Sequence, residues 1–155
     1  MEQNLEEKIH ADFISAVKQK ERLKTDTLRM LNAAIHNRLI EKKAKSGEKN
    51  LSDDEILEVI LKEAKKRKEA MEAFQRGGRE ELADKEKKEL NVLSVYLPKE
   101  MTREEIEEII SKAIKDTASA NPEDFGKVMK EVMKEAKGRA DAKVITEIIK
   151  EKLSK

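Results

Sequence analysis

The sequence predicts an all-α protein with two domains. Charged residues make up 43% of the 155 residues and aromatic residues only 3%, and there are two prolines and five glycines. This composition favours helices and offers little to a β-sheet. Apolar residues also recur at helical spacing along most of the chain. We expect an N-terminal helical domain with a long hairpin over 1–97, and a small three-helix domain over 98–155.

The first two helices are expected over about 5–19 and 21–43. In the first, apolar residues recur every four positions, at Leu5, Ile9, Phe13 and Val17. The second helix has its own apolar seam, formed by Leu28, Leu31, Ile35 and Leu39. A loop over 45–51 is expected after it, because Ser46 and Gly47 favour a turn.

The third and fourth helices are expected to form the long hairpin. Ser52 and Glu55 have the spacing of a capping box, which marks the start of a helix. That helix should end at Gly77 and Gly78, and the fourth should run from about 79 to 96, since Pro98 lacks an N–H for its continuation. The expected apolar positions are Ile56, Val59, Ile60, Ala64, Met71, Phe74, Leu82, Leu90, Leu93 and Leu97.

The second domain should begin with another capping box, formed by Thr102 and Glu105. Its second helix should start at Asn121 and Pro122, as N-cap and first helical residue. Gly138 stands where a left-handed residue would end that helix, and Asp141 is placed to cap the last one, over about 142–153.

A basic ridge is expected on the middle helix of this domain. Four lysines fall within an arc of about 80° around the helix axis, opposite a core face that includes Val128 and Val132. These four, which we call the basic ridge, are Lys127, Lys130, Lys134 and Lys137. Arg139 follows at the corner beside them. Because the lysines share one face instead of alternating with glutamates, an anionic partner is one interpretation and an ordinary solvated helix face is the other.

Other basic clusters are expected to be solvated helix faces. They are Lys62 with Lys65, Lys66, Arg67 and Lys68, and the pair Arg76 and Arg79. In a chain so rich in charge, such runs arise on exposed helices without a binding role.

No catalytic residue, metal site or cofactor is expected from the residues. The chain has no cysteine, and His10 and His36 lack the partners of a helical metal motif. Glycine-rich phosphate loops are also absent from the sequence. No segment has the apolar length of a membrane span, so a cytoplasmic location is expected. The lysine- and glutamate-rich surface without cysteine is typical of heat-adapted proteins, although designed helical proteins look similar.

Several strings of the sequence are typical of one protein family. The specific pieces are GKVM from Gly126, KGRAD from Lys137, Tyr96-Leu97-Pro98 and Gly78-Arg79. The longer strings are RLKTDTLRMLNAAIHNRLIEKK, LSDDEILEVILKEAKKRKEAMEAFQRGGREELADKEKKEL and KVITEIIKEKL. Together they resemble the YqeY family, whose C-terminal module is shared with the tail of the B subunit of the tRNA-dependent amidotransferase.

The resemblance implies two helical domains and a tRNA-facing role for the C-terminal one. Carried over, it makes Gly126, Lys127, Lys130, Lys137, Gly138 and Arg139 candidates for RNA contact or for defining the fold. For Gly126 the alternative is close packing against the fifth helix, and for Gly138 it is a helix cap. The chain has no counterpart of the amidase subunit or of the catalytic part of the B subunit, so the kinship extends to a domain and not to the ligase chemistry.

The function expected from the sequence is binding of tRNA or another structured RNA, without catalysis by the chain alone. An enzymatic association would be accessory, with the carbon-nitrogen ligase that amidates mischarged tRNA using glutamine, or with synthetase components. The competing hypothesis is a protein-interaction adaptor. A third possibility, an undetected hydrolase or ligase, would require a pocket with convergent polar groups.

Overall fold

A computed structural model describes residues 4–154; residues 1–3 and 155, which the predicted domains include, lie outside it. The described residues form seven α-helices and one 3-10 turn, with no strand among them. The predicted all-α class is confirmed. The chain divides into two compact units between Leu97 and Pro98.

Four helices build the first unit and three the second. The first four are α1 (Leu5–Lys18), α2 (Arg22–Ser46), α3 (Asp53–Arg76) and α4 (Glu80–Ser94). The second unit holds α5 (Arg103–Asp116), the 3-10 turn (Pro122–Asp124), α6 (Phe125–Ala136) and α7 (Ala142–Leu153). In the first unit α3 and α4 pack along each other as the predicted hairpin.

Both predicted capping boxes are present. The Ser52 hydroxyl accepts from the backbone N–H of Glu55 at 3.2 Å, and the Glu55 carboxylate accepts from the backbone N–H of Ser52 at 3.1 Å. Thr102 and Glu105 make the same two bonds at the start of α5, at 3.2 and 2.9 Å. Each box satisfies two N–H groups that a helix start would otherwise leave unpaired.

Helix α2 ends later than predicted, at Ser46, with Gly47 in the left-handed region at φ 75°. The Gly47 N–H donates to the Lys43 carbonyl at 2.9 Å, and Ser46 Oγ donates to the Lys42 carbonyl at 3.0 Å, so a local glycine cap ends the helix. An ion pair then spans the following loop. Lys42 Nζ lies 2.6 Å from Glu55 Oε1 and donates at 2.9 Å to the backbone carbonyl of Asn50. The bond from Lys42 and those at the capping box lower the pKa of Glu55 to about 2. Lys42 therefore ties the end of α2 to the loop and to the start of α3.

The core of the first unit is built largely from the predicted positions. Its buried members are Ile9, Leu28, Leu31, Ile35, Ile56, Val59, Ile60, Ala64, Leu93 and Tyr96. Two predicted members are wrong: Val17 is 48% exposed and Leu82 is 38% exposed. A spacing of four residues rotates by about 40° per step around a helix, so the fourth residue of the α1 stripe leaves the core face. Ala16 and Ala83 are buried in their place.

Arg67 is buried, and it is not part of a solvated basic face. Its side chain is 5% exposed and Nη1 lies 3.1 Å from Glu63 Oε2. Nε lies 3.4 Å from Glu89 Oε2 but is buried without a hydrogen-bond partner. Nη1 also donates to the Glu63 carbonyl, and Nη2 lies 3.8 Å from the sulfur of Met30 on α2. One guanidinium therefore neutralises carboxylates from both α3 and α4 inside the unit.

A third carboxylate, Glu86, belongs to this buried cluster. Partial burial raises the pKa of Glu86, and the negative charge of Glu89 raises it further, while Arg67 opposes the rise. The folded protein thus binds this proton more tightly than the unfolded chain, and its ionised form destabilises the fold above the raised pKa. This destabilisation disappears as the pH falls toward 4.5, the ordinary pKa of a glutamate, because Glu86 then becomes protonated.

We expect Glu86→Gln to stabilise the protein at pH 7, by on the order of 1 kcal/mol or less. The gain over wild type should shrink as the pH is lowered, because wild-type Glu86 then takes up its proton. Urea unfolding followed by circular dichroism at pH 7 and pH 4.5 measures both effects. Asp84→Asn, an exposed change on the same helix, is the control. A Glu86→Gln protein less stable than wild type at pH 7 would contradict the assigned cause.

The core of the second unit is contributed by all three of its helices. Its buried members are Ile106, Ile110, Ala113, Val128, Val132, Ala136, Ile145, Ile148, Ile149 and Leu153. Phe125, Met129 and Met133 pack against this cluster while remaining partly exposed. The predicted apolar face of α6 is therefore confirmed.

The entry to α6 differs from the prediction. Pro122 is the first residue of a 3-10 turn and not of the α-helix, which begins at Phe125. The Asp124 carboxylate accepts from the backbone N–H groups of Ala120 and Asn121, at 3.0 and 3.3 Å. Those two bonds are the main reason that the pKa of Asp124 is lowered. A carboxylate reaching back along the chain thus fixes the turn.

Candidate nucleic-acid interface

Three lysines of the basic ridge lie on the exposed side of α6. Lys127, Lys130 and Lys134 are all exposed, whereas Val128 and Val132 on the opposite side have no exposed surface. Lys134 lies seven residues after Lys127, which corresponds to about 10 Å along the helix. The burial of the apolar face fixes which way the lysines point.

Two of these lysines have acidic neighbours. Lys134 Nζ lies 2.9 Å from Glu131 Oε2, and Lys127 Nζ lies 3.9 Å from Asp124 Oδ1. The expectation that acids stay off this face is therefore wrong at one edge of the ridge. Exposed pairs of this kind contribute at most about 1 kcal/mol. A polyanion could displace the carboxylates at little cost.

Lys130 differs from its two neighbours. Its side chain is exposed, and it makes no ion pair or hydrogen bond within residues 4–154. It lies between Lys127 and Lys134 along the helix, one turn from each. The centre of the ridge therefore carries a full, solvated positive charge.

Lys137 lies beyond the helix and not in line with the other three. It is the C-cap residue of α6, and its backbone has turned to an extended conformation at φ −57° and ψ 121°. The side chain of Lys137 therefore does not point in the direction predicted by continuing the helix to this residue. Lys137 is exposed, so it extends the basic surface toward the α6–α7 corner.

Two predicted residues shape that corner. Gly138 has φ 79°, the left-handed conformation that ends helices and that suits glycine. Asp141 is the N-cap of α7, and its side chain accepts from the backbone N–H of Lys143 at 2.9 Å. Both predictions of local structure are confirmed.

Arg139 is tied to the segment that precedes α5. Its side chain is half-buried, and Nε donates to the backbone carbonyl of Lys99 at 3.3 Å. Its own carbonyl accepts from the backbone N–H of Met101 at 2.8 Å. Sequence reasoning missed Lys99 and Met101, because backbone hydrogen bonds across forty residues leave no mark in the residue pattern. Arg139 therefore positions the corner, in addition to carrying charge there.

Gly126 is exposed on α6, and a Cβ built on it would meet nothing within 4 Å. The alternative explanation from the sequence, close packing against the fifth helix, is therefore wrong. The backbone of Gly126 is not in the left-handed region, which among the glycines is occupied by Gly47, Gly78 and Gly138.

The remaining sequence candidates do not assemble into a catalytic centre. His10 and His36 are both exposed. Among the described residues, no cluster of three or more histidines and acids has the arrangement to hold a metal ion. Over the same residues, no helix is both long and apolar enough to span a bilayer.

The fold and this surface define a class: a small helical protein with a basic helix-turn-helix face in its C-terminal unit. The chain belongs to the YqeY family, because residues 6–153 match the family described as Yqey-like protein. The residues that carried the resemblance in the sequence lie in both units.

Two curated relatives extend the comparison. The first is "Altered inheritance of mitochondria protein 41, mitochondrial" of Pyrenophora tritici-repentis, 29% identical over 147 residues, covering 93% of this chain and 78% of the relative. The second is "Uncharacterized protein C22F3.15" of Schizosaccharomyces pombe, 30% identical over 95 residues, covering 61% of this chain and 73% of the relative. Neither name states a substrate or a ligand.

Proposed function

We propose that the protein binds tRNA or another structured RNA through the basic face of its C-terminal unit, without catalysing a reaction alone. The observation that supports this most is the arrangement of Lys127, Lys130 and Lys134 on one exposed side of α6. Lysines spaced a turn apart match a sugar-phosphate backbone as point charges, and release of counterions from the RNA would drive the association.

Structured RNA suits this face better than a single strand. Non-specific binding of single strands relies on aromatic side chains on which bases stack. The one aromatic residue on α6 is Phe125, which packs against the core of the unit. Contacts to phosphates and to the shape of a folded RNA need no such platform.

The resemblance to the amidotransferase tail suggests which enzymes would share the RNA. Amidotransferase or synthetase components are the protein partners that we propose, and the carbon-nitrogen ligase chemistry would belong to them. We also propose the cytoplasm as the location. The name of the Pyrenophora relative contains the word mitochondrial, which describes that protein.

A protein-interaction adaptor is the second candidate function, and one observation favours it. The large hydrophobic residues that are most exposed all lie in the first unit: Ile14, Val17, Met30, Ile40, Leu82 and Val95. Exposed apolar side chains are typical of protein contact surfaces when they are contiguous. An apolar interface would change little with salt, whereas an RNA complex would weaken steeply.

We expect wild-type protein to bind fluorescent tRNA with an affinity that falls by orders of magnitude between about 50 and 200 mM salt if 6–10 phosphates are contacted. The triple variant Lys127→Glu, Lys130→Glu and Lys134→Glu should lose most of this binding. Its slope of log affinity against log salt should fall by about three units or more, because at least three phosphate contacts are removed.

The control is a second triple variant, Lys112→Glu, Lys115→Glu and Lys150→Glu, which changes the net charge equally at exposed sites on α5 and α7. It should retain most of the affinity and the slope. Equal losses in both variants would show that bulk charge and not the ridge matters. Absence of salt-sensitive binding by wild type would reject the RNA function and favour the adaptor.

A further inference from the structure

Gly126 is a glycine that neither the fold nor the packing of its unit requires. The three left-handed glycines need their conformation for turns or helix ends. Gly77 lies at the C-cap of α3, outside the helix, where an added Cβ would lie 3.5 Å from the Ala73 carbonyl oxygen. Gly126 alone among the described glycines lies inside an α-helix, and open space surrounds the position that a Cβ would take.

Such a residue lowers the stability of the helix. Glycine is less favourable than alanine in a helix interior by about 1 kcal/mol, and by less near a helix end. Alanine would fit at position 126 with no neighbour to displace. The absence of a side chain there is therefore a local cost that no contact within the unit offsets.

The position of Gly126 on α6 relates it to the basic ridge. With Lys127 at 0°, Gly126 lies at about 260° and Lys130 at about 300°, so the glycine borders the lysines on the edge away from Glu131, at about 40°. Lys130 is one turn further along the same side. The helix backbone is thus bare on the edge of the ridge away from Glu131 and next to its unpaired lysine, while the exposed Glu123 lies three residues earlier, in the 3-10 turn.

We propose that Gly126 is the point where the RNA sugar-phosphate backbone touches the main chain of α6, held between Lys127 and Lys130. This inference rests on the proposed RNA binding and specifies how close the RNA comes. Without a Cβ, ribose and phosphate atoms can reach van der Waals contact with the helix backbone. Lys127 and Lys130 can then meet neighbouring phosphates without stretching.

The test is a size series at one position, Gly126→Ala and Gly126→Leu, in the full-length chain. Binding of fluorescent tRNA should weaken about threefold for alanine and tenfold or more for leucine, where tenfold corresponds to about 1.4 kcal/mol. The slope of log affinity against log salt should stay at the wild-type value, because no cation is lost. The midpoint of thermal unfolding should be unchanged or higher for Gly126→Ala.

Ser111→Leu, an exposed change on α5 that also leaves the charge unaltered, is the matched control and should bind as wild type does. If wild type binds with a steep salt slope and both Gly126 variants bind equally well, the close contact is rejected while the RNA function stands. If Gly126→Ala lowers the unfolding midpoint, the premise that the fold does not need this glycine is wrong. If wild type does not bind RNA, both proposals fall together.

Discussion

Replacing Arg67 by methionine should lower the free energy of unfolding by about 3–5 kcal/mol, the usual cost of removing one partner from a buried ion pair. The side chain is 5% exposed, and the carboxylates of Glu63 and Glu89 beside it are 13% and 14% exposed. Methionine fills a similar space but leaves Glu89 without its buried cation, and leaves Glu63 with only the exposed Lys66, whose Nζ lies 3.4 Å from Glu63 Oε1. Urea unfolding at pH 7, followed by circular dichroism, measures the loss.

Lys66→Met is the matched control, because it removes the same charge from the neighbouring residue, whose side chain is 61% exposed. It should change stability by less than about 0.5 kcal/mol. Adding Glu63→Gln and Glu89→Gln to Arg67→Met should recover part of the loss, since amides carry no charge to neutralise. An Arg67→Met protein as stable as the Lys66→Met protein would show that the cluster is not a buried ion pair in solution.

Replacing Ile149 by alanine should lower stability by about 2–5 kcal/mol, through lost burial and the cavity left behind. Ile149 has no exposed surface, and it lies in the core of the second unit. A unit of this size has a total stability of roughly 3–9 kcal/mol, so the change could unfold it near room temperature. Thermal unfolding followed by circular dichroism at 222 nm, where helices are detected, tests this expectation.

Ile149→Val is the graded control and should cost about 0.5–1.5 kcal/mol, because it removes a single methyl group. Under the proposed function, tRNA binding should be lost with Ile149→Ala at temperatures where helicity is lost, and retained with Ile149→Val. A folded Ile149→Ala protein of wild-type stability would mean that the site collapses without a cavity.

The sequence predicted those parts of the fold that depend on local patterns. Capping boxes at Ser52 and Thr102 and the left-handed glycine at Gly138 act through residues within one turn of each other. The apolar face of α6 follows from helical periodicity alone. For the same reason the exposed side of Lys127, Lys130 and Lys134 could be predicted without coordinates.

The errors arose where distant residues decide the outcome. In the sequence, Arg67 is one more cation in a basic run. It can be buried because α4 places the Glu89 carboxylate beside it. Arg139 looks like a free charge at a corner until Lys99 accepts its N–H. The tie between the end of α2 and the start of α3 depends on the pairing of Lys42 with Glu55. Helical periodicity contains no information about such partners.

The protein has one tyrosine and no tryptophan, so its intrinsic ultraviolet emission comes almost entirely from Tyr96. That ring is buried in the first unit, with its hydroxyl donating to Asp12 and Lys8 above its face. Emission from this ring therefore reports on the first unit, while the helix that carries the basic ridge gives no such signal. A tryptophan introduced on the second unit, away from α6, would let the two units be observed separately in a single fluorescence experiment.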